Sequence, residues 1–183
     1  MNVATSFRRA SDGFATRAEN IADSQWTAAT PCTEWDVRAL VNHVTGEYLW
    51  VPELLAGKTI AEVGNRFDGD VLGDDPLRAV RDAHRSAAAA ADACDMDATV
   101  HLSFGDVRAS EYVMQMTIDS TIHAWDLARG IGADDTLDPE VVEIVYAEFA
   151  KQAEAWRAGG SLGPAKTPVD DSTQAKLIAL SGR

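Results

Sequence analysis

Two side chains that can bind a metal lie one helical turn apart in the segment TIDSTIHAWDLARG, residues 117–130. Asp119 and His123 are separated by four positions, and the whole segment has the composition and apolar spacing of a helix. At about 100° per residue the two side chains lie roughly 40° apart on one face, the arrangement by which a helix offers two ligands to one ion. Apolar residues flank that face, so it is predicted to point inward. Burying a carboxylate and an imidazole without partners costs several kcal/mol, and a divalent metal is one partner that removes this cost.

A third candidate ligand, His43, lies on a second amphipathic segment. Its neighbours Leu40 and Val44 belong to an apolar helical stripe, so His43 is predicted to face the core. Two histidines and one carboxylate suit Zn²⁺, and also Fe²⁺ or Ni²⁺, and they leave at least one coordination position open. The residues alone leave an alternative, in which Asp119 forms a local cap or salt bridge and each histidine hydrogen-bonds within the core.

Two acidic residues near these ligands each have two interpretations. Glu47 follows His43 by one turn and could act as general base or fourth ligand, or it could be an ion-paired residue at the rim. Asp126 could orient the imidazole of His123, or it could pair with Arg129 one turn later.

Other polar and aromatic residues are assigned to packing or to the surface. Cys32 precedes His43 by eleven residues, about 16 Å along a helix axis, so it is predicted to be a small packing residue away from the metal. His84 and His101 are predicted to be surface histidines, although His101 could reach a ligand from an extended flap. The walls of the metal pocket are predicted to include Trp50 and Met116, and Trp125 is predicted to anchor the far side of its helix.

The candidate ligands all lie on predicted helices. The apolar spacing along the chain predicts an all-α fold in a single domain, 1–183. Predicted helices cover approximately 3–24, 34–56, 76–94, 110–130, 139–158 and 172–180. A capping box from Thr33 to Asp36 is predicted to start the second helix, and residues 57–75 are too long for a tight turn and are predicted to cross the bundle. Residues 99–106 alternate and turn, which predicts a small hairpin or flap before the fourth bundle helix.

Composition narrows the classes of partner. A formal net charge of −13 and a sequence pI near 4.5 argue against nucleic acid or an anionic membrane as partner. No signal sequence or membrane span is recognised, so a cytoplasmic location is predicted. Cys32 and Cys94 are 62 residues apart without a CxxC motif, which indicates neither a disulfide framework nor a thiolate metal site.

Several segments resemble, in order and spacing, the actinobacterial metal-binding branch of the DinB-like superfamily, itself similar to the N-terminal domain of mycothiol-dependent maleylpyruvate isomerase. They are TPCTEWDVRALVNHV, DVLGDDP, HLSFGDVRASEY, TIHAWDLARGIG and LGPAKTPVDDSTQAKLIALSGR. The resemblance implies a four-helix bundle with a long crossover connection and extra C-terminal helices. It also implies a divalent metal, usually zinc, held by His43, Asp119 and His123.

The function that this resemblance implies is a metal-dependent thiol transferase or isomerase that joins a mycothiol-type thiol to a small electrophile. Two alternatives stay open: a metal-dependent hydrolase, and a non-enzymatic metal-binding or scaffold bundle that could form a homodimer. The isomerase pair is Glu-xxx-His, whereas this chain has Asp119, one methylene shorter. The second domain of the isomerase has no counterpart in these 183 residues, so maleylpyruvate isomerisation itself is not implied.

Overall fold

A computed structural model describes residues 1–160 and 162–183. The elements in chain order are α1 (Val3–Ala18), α2 (Val37–Leu55), α3 (Ile60–Val63), α4 (Pro76–Ala93), β1 (Thr99–Leu102), β2 (Gly105–Arg108), α5 (Ala109–Ile131), α6 (Pro139–Ala158) and α7 (Thr173–Leu180). The long helices α1, α2, α4 and α5 form a four-helix bundle, and β1 pairs with β2 as an antiparallel hairpin before α5. The predicted all-α bundle with a small hairpin and extra C-terminal helices is confirmed.

Aromatic side chains fill the centre of the bundle. The rings of Phe7 and Phe14 on α1 meet the ring of Tyr48 on α2 edge to face, at centroid distances of 6.1 and 6.2 Å. The Tyr48 hydroxyl is buried and donates to Ser120 on α5, so this core residue satisfies its polar atom across the α2/α5 interface. The same interface carries the candidate metal ligands.

The start of α2 and the end of α1 differ from the sequence prediction. The carboxylate of Asp36, and not Thr33, caps α2 by accepting from the backbone N–H of Ala39. The first helix ends at Ala18, and a separate 3₁₀ turn covers Asp23–Gln25. Because α2 therefore begins at Val37, the residues just before it are free to fold as a loop.

The connection between α2 and α4 is a long crossover, as predicted. Arg38 and Asn42, near the start of α2, hydrogen-bond to Asp70 and Gly69 near the end of the connection. The chain therefore returns along the length of α2 before α4 begins, and the two neighbouring helices run parallel. Parallel neighbours need such a return segment, because a short loop can join only antiparallel helices.

The loop before α2 is tied down at close range to the end of α5. A β-bridge joins Ala29 to Asp36, and a Cβ added at Gly130 would lie 3.1 Å from Thr30 Cγ2 and 3.2 Å from Val37 Cγ2. These distances are tighter than ordinary van der Waals contact, so α5 can approach the loop only because residue 130 has no side chain.

Replacing Gly130 by alanine is therefore expected to destabilise the protein by about 1 kcal/mol, because an overpacking cost of about 1–3 kcal/mol exceeds the gain in helix propensity. Gly46 is the matched control, since it also lies inside a helix but has no atom within 4 Å of the added Cβ. Gly46→Ala is expected to stabilise by about 0.5–1 kcal/mol. Urea unfolding of both variants measures the contrast, and equal effects would contradict the close approach.

Beyond the bundle, α7 packs on α6 and returns the C-terminal residues to the bundle. Arg157 on α6 donates to the backbone carbonyl of Leu180, and the backbone N–H of Lys166 donates to Ala179. These contacts place Arg183 beside α5. Within the described residues, no helix is both long and apolar enough to cross a membrane.

Candidate metal centre

Three potential ligands from two facing helices meet at one point. His43 lies on α2, whereas Asp119 and His123 lie on α5. Asp119 Oδ1 is 3.3 Å from His123 Nε2 and 3.6 Å from His43 Nε2, and one ligand atom of each residue lies within 4.8 Å of the others. The structure therefore brings together the three residues that the sequence singled out, and the shorter side chain of aspartate reaches both imidazoles.

The spacing of these atoms agrees with a tetrahedral metal site. Zn²⁺ binds nitrogen and oxygen at about 2.0–2.2 Å, and a tetrahedron with bonds of that length separates its ligand atoms by about 3.3–3.6 Å. The two distances from Asp119 Oδ1 fall in this range, and two imidazoles with one carboxylate form a donor set that zinc accepts. The residues present fit a divalent metal with three protein ligands and an open fourth position.

Asp126 fixes the orientation of the His123 ring. Its Oδ2 lies 3.0 Å from His123 Nδ1, so the ring donates its Nδ1 proton to Asp126 and turns Nε2 toward Asp119. This is the carboxylate–histidine arrangement that surrounds many metal sites. Of the two interpretations left open for Asp126, the orienting one is confirmed, because Arg129 pairs with Asp135 instead.

The charges of this cluster shift the pKa values of its members. Burial alone would lower the pKa of His123, but the charge of Asp119 and the hydrogen bonds to Asp119 and Asp126 raise it well above its ordinary value. Burial would likewise raise the pKa of Asp119, yet the two histidines lower it. The carboxylate of Asp119 and the imidazole of His123 therefore each favour the charged form of the other.

The apparent affinity for Zn²⁺ is accordingly expected to rise with pH. The extra proton on His123 must leave before Nε2 can bind a metal, and Asp119 holds that proton to a higher pH than usual. Above the ordinary histidine pKa of about 6.5, each pH unit is expected to strengthen binding by about tenfold until the raised pKa is passed. Chelator competition in half-unit steps measures this slope, and an affinity independent of pH above 6.5 would contradict the pairing.

Cys32 and Arg183 stand on the other side of His123, and the prediction for Cys32 is wrong. Its Sγ lies 3.9 Å from His123 Nδ1 and 3.2 Å from Asp126 Oδ2, and it accepts a hydrogen bond from Arg183 Nη2 at 2.9 Å. The estimate of 16 Å assumed a helix from Cys32 to His43, but the helix begins only at Val37 and the loop folds back. Cys32, His123 and Asp126 form a second group whose ligand atoms are close enough to bind a metal. In this structure the guanidinium of Arg183 is the cation that contacts Cys32 and Asp126.

Asp126 is fully buried and depends on this cation. Arg183 donates to it through Nε at 2.9 Å and through Nη2 at 3.0 Å. Burial would raise the pKa of Asp126, but His123 and Arg183 lower it, so the carboxylate stays charged. A buried carboxylate with paired hydrogen bonds from an arginine is a fixed negative charge behind His123.

A cavity of about 600 Å³ opens next to the three ligands. Its apolar walls come from Trp35, Ile118, Ile122, Trp156 and Leu162, and Lys166 lies at its edge. The prediction that Trp50 and Met116 form the walls is wrong: Trp50 packs on Phe67 instead. Ile118 and Ile122 come from α5, whereas Trp35 comes from the loop before α2 and Leu162 from the segment after α6, which the helical spacing of α2 and α5 could not indicate.

Glu47 lies near the centre without joining it. It is half-buried, and burial together with the negative charge of Asp119 raises its pKa. No ion pair of Glu47 exists within the described part of the chain, so the rim interpretation fails there. Its role as a general base stays a prediction, supported by the raised pKa and the nearby ligands.

The two remaining histidines differ from each other. His101 is exposed on the hairpin and pairs with Asp106 on the opposite strand, so its assignment to the surface is confirmed. His84 is mostly buried, with its ring 6.0 Å from that of Tyr48 and its Nε2 3.0 Å from Asp12, so its assignment to the surface is wrong. It lies between α1 and α4, outside the metal centre.

Comparison with known proteins gives one family match and two curated relatives. The family model that matches the chain is described as the mycothiol maleylpyruvate isomerase N-terminal domain, and the match covers residues 7–128. Two curated relatives from strains of Mycobacterium tuberculosis, the uncharacterized proteins MT0763 and Rv0738, are each 34% identical over 172 residues, which is 93% of this chain and 88% of the relative. No solved structure matches significantly. All three candidate ligands lie within the matched residues.

Proposed function

We propose that this chain, which belongs to the mycothiol maleylpyruvate isomerase N-terminal domain family, binds one divalent metal and uses it to react a small thiol with a small electrophile. The single observation that supports this proposal is the convergence of His43, Asp119 and His123 beside an open cavity. Zinc is the ion that we favour, because the donor set and the spacing suit it.

The open coordination position supports a catalytic metal over a structural one. Structural zinc sites close their shell with four protein ligands, whereas this centre offers three and faces a cavity. When bound, Zn²⁺ supplies Lewis acidity that makes a thiol or water at that position anionic near neutral pH. The cavity of about 600 Å³ has room for a small thiol together with an electrophile.

The residues around the centre each contribute to this chemistry. Asp126 holds His123 with Nε2 toward the metal position, and Arg183 keeps Asp126 ionised. The side chains of Ile118, Ile122 and Trp156 give the cavity an apolar wall. Glu47 lies on α2 one turn after His43, and we propose that it accepts the proton of the incoming nucleophile; burial and the charge of Asp119 raise its pKa.

Thiol conjugation by the zinc-loaded protein tests the proposal. The protein is incubated with mycothiol and a panel of electrophiles, and conjugates are followed by mass spectrometry, with chelator-treated protein as control. Conjugation that disappears with the chelator is the expected result. Retained zinc without thiol binding or turnover would instead favour a metal-binding scaffold, and turnover of chromogenic esters without any thiol would favour a hydrolase.

A further inference from the structure

The two histidine ligands are held in different ways. His123 is buried, and its Nδ1 is hydrogen-bonded to Asp126. His43 has no hydrogen bond to any residue that the structure describes, because its closest carboxylate oxygen, on Asp119, is 3.6 Å away. Metal-binding histidines almost always have a hydrogen-bond partner that fixes the ring, so another contact must orient His43.

Trp35 makes that contact. Its ring centroid lies 4.6 Å from that of His43 with an interplanar angle of 36°, and 5.8 Å from that of His123 with an angle of 41°. The centroids of the two imidazoles are 5.2 Å apart, so one indole packs against both ligands. An aromatic face at this distance restricts rotation of a neighbouring imidazole about its side-chain torsions.

The backbone of Trp35 is itself fixed. Its N–H donates to the carbonyl of Cys32 at 2.8 Å, and its carbonyl accepts from the hydroxyl of Thr30 at 2.7 Å. The β-bridge between Ala29 and Asp36 closes the same loop. The indole is therefore presented to the metal centre by a loop whose backbone is held by these hydrogen bonds.

We propose that Trp35 is a positioning residue of the metal centre: its indole holds His43 in the orientation that binds the metal and fixes the gap between the two imidazoles. The proposal rests on the proposed metal-binding function. In this proposal the indole ring orients His43 by packing, as Asp126 orients His123 by a hydrogen bond. Without the indole, the His43 ring would sample other rotamers and would lose this preorganisation before the metal arrives.

Replacement of Trp35 by leucine, with phenylalanine as the conservative variant, tests the proposal. Trp35→Leu is expected to weaken Zn²⁺ binding by about 10–100-fold, the range found when a ligand-orienting group is lost. Trp35→Phe keeps an aromatic face and is expected to recover most of the affinity. Trp125→Leu is the matched control, because Trp125 is half-buried on α5 but does not line the cavity, and it should bind zinc as the native protein does.

NMR of the zinc-free protein provides a readout that is independent of the metal. Ring-current shifts of the His43 protons and nuclear Overhauser contacts to the Trp35 ring are expected in the native protein and should disappear in Trp35→Leu. If the native protein binds no zinc, the proposed function fails, while these signals still decide whether the indole fixes the ring. A native His43 ring that averages over several rotamers would overturn the positioning role.

The affinity measurements can overturn it as well. Equal zinc affinity in native protein and Trp35→Leu would show that the indole does not hold the ligand. Equal losses in Trp35→Leu and Trp125→Leu would show a general effect of removing a tryptophan. If Trp35→Leu does not fold, the NMR spectra of the native protein carry the test, and a native His43 ring without contacts to the Trp35 ring would refute the proposal.

Discussion

His123→Ala is expected to abolish stoichiometric Zn²⁺ binding, with an affinity loss of more than about 100-fold. Removal of a residue that only orients a ligand already costs about 10–100-fold, and here a ligand itself is lost. The loss should be especially large because His123 is the most buried of the three ligands and shares Asp119 Oδ1 with His43. Elemental analysis of purified protein and chelator competition measure the effect.

The controls for this prediction come from the same chain. His43→Ala is expected to lose the metal as well, because it removes the α2 contribution to the centre. His101→Ala removes an exposed histidine that already has a carboxylate partner, and it should retain about one equivalent. Retention of zinc by His123→Ala, or equal loss in His101→Ala, would place the metal elsewhere.

Arg183→Met is expected to lower the free energy of unfolding by about 3–5 kcal/mol. Its partner Asp126 is fully buried, so the substitution leaves an uncompensated charge in the interior. Methionine keeps much of the apolar stem, which limits the loss of packing. Chemical unfolding of the zinc-free protein measures the effect without a contribution from metal binding.

An exposed arginine on α5, Arg129, supplies the comparison. Arg129→Met removes a pair with Asp135 whose side chains are 58% and 34% exposed, and such surface pairs are worth about 0–1 kcal/mol. The double variant Arg183→Met with Asp126→Asn should be more stable than Arg183→Met alone, because it also removes the buried charge. A loss in Arg183→Met no greater than in Arg129→Met would show that Asp126 does not need its cation.

The helical half of the metal centre could be predicted from sequence because its geometry is periodic. The spacing between Asp119 and His123 places them on one face of any helix, and His43 lies on the apolar stripe of another. The convergence of the two helices, however, depends on the topology of the bundle. The length of residues 57–75 predicted the crossover, but the four-helix bundle itself came from the family resemblance.

Three further residues of the site could not be predicted because they lie outside helices and strands. Cys32 and Trp35 lie in the loop before α2, and Arg183 follows α7. In such segments the spacing along the sequence does not show which way a side chain points. The error for Cys32 arose from the start of α2. Because Asp36 caps the helix in place of Thr33, Cys32 lies in the loop and not on the helix. The segments TPCTEWDV and LIALSGR contain these residues, so the family resemblance was the one signal that pointed toward them.

The exposed loop between α6 and α7 has a consequence for the integrity of the whole site. Residues 163–172 are exposed, whereas Leu177 and Ile178 on the helix that follows are buried. A single proteolytic cut there would leave α7 held only by non-covalent contacts, and its departure would carry Arg183 away from Asp126. The rate at which a protease cuts this loop therefore reports how stably α7 is packed and how well Arg183 stays on Asp126 next to His123.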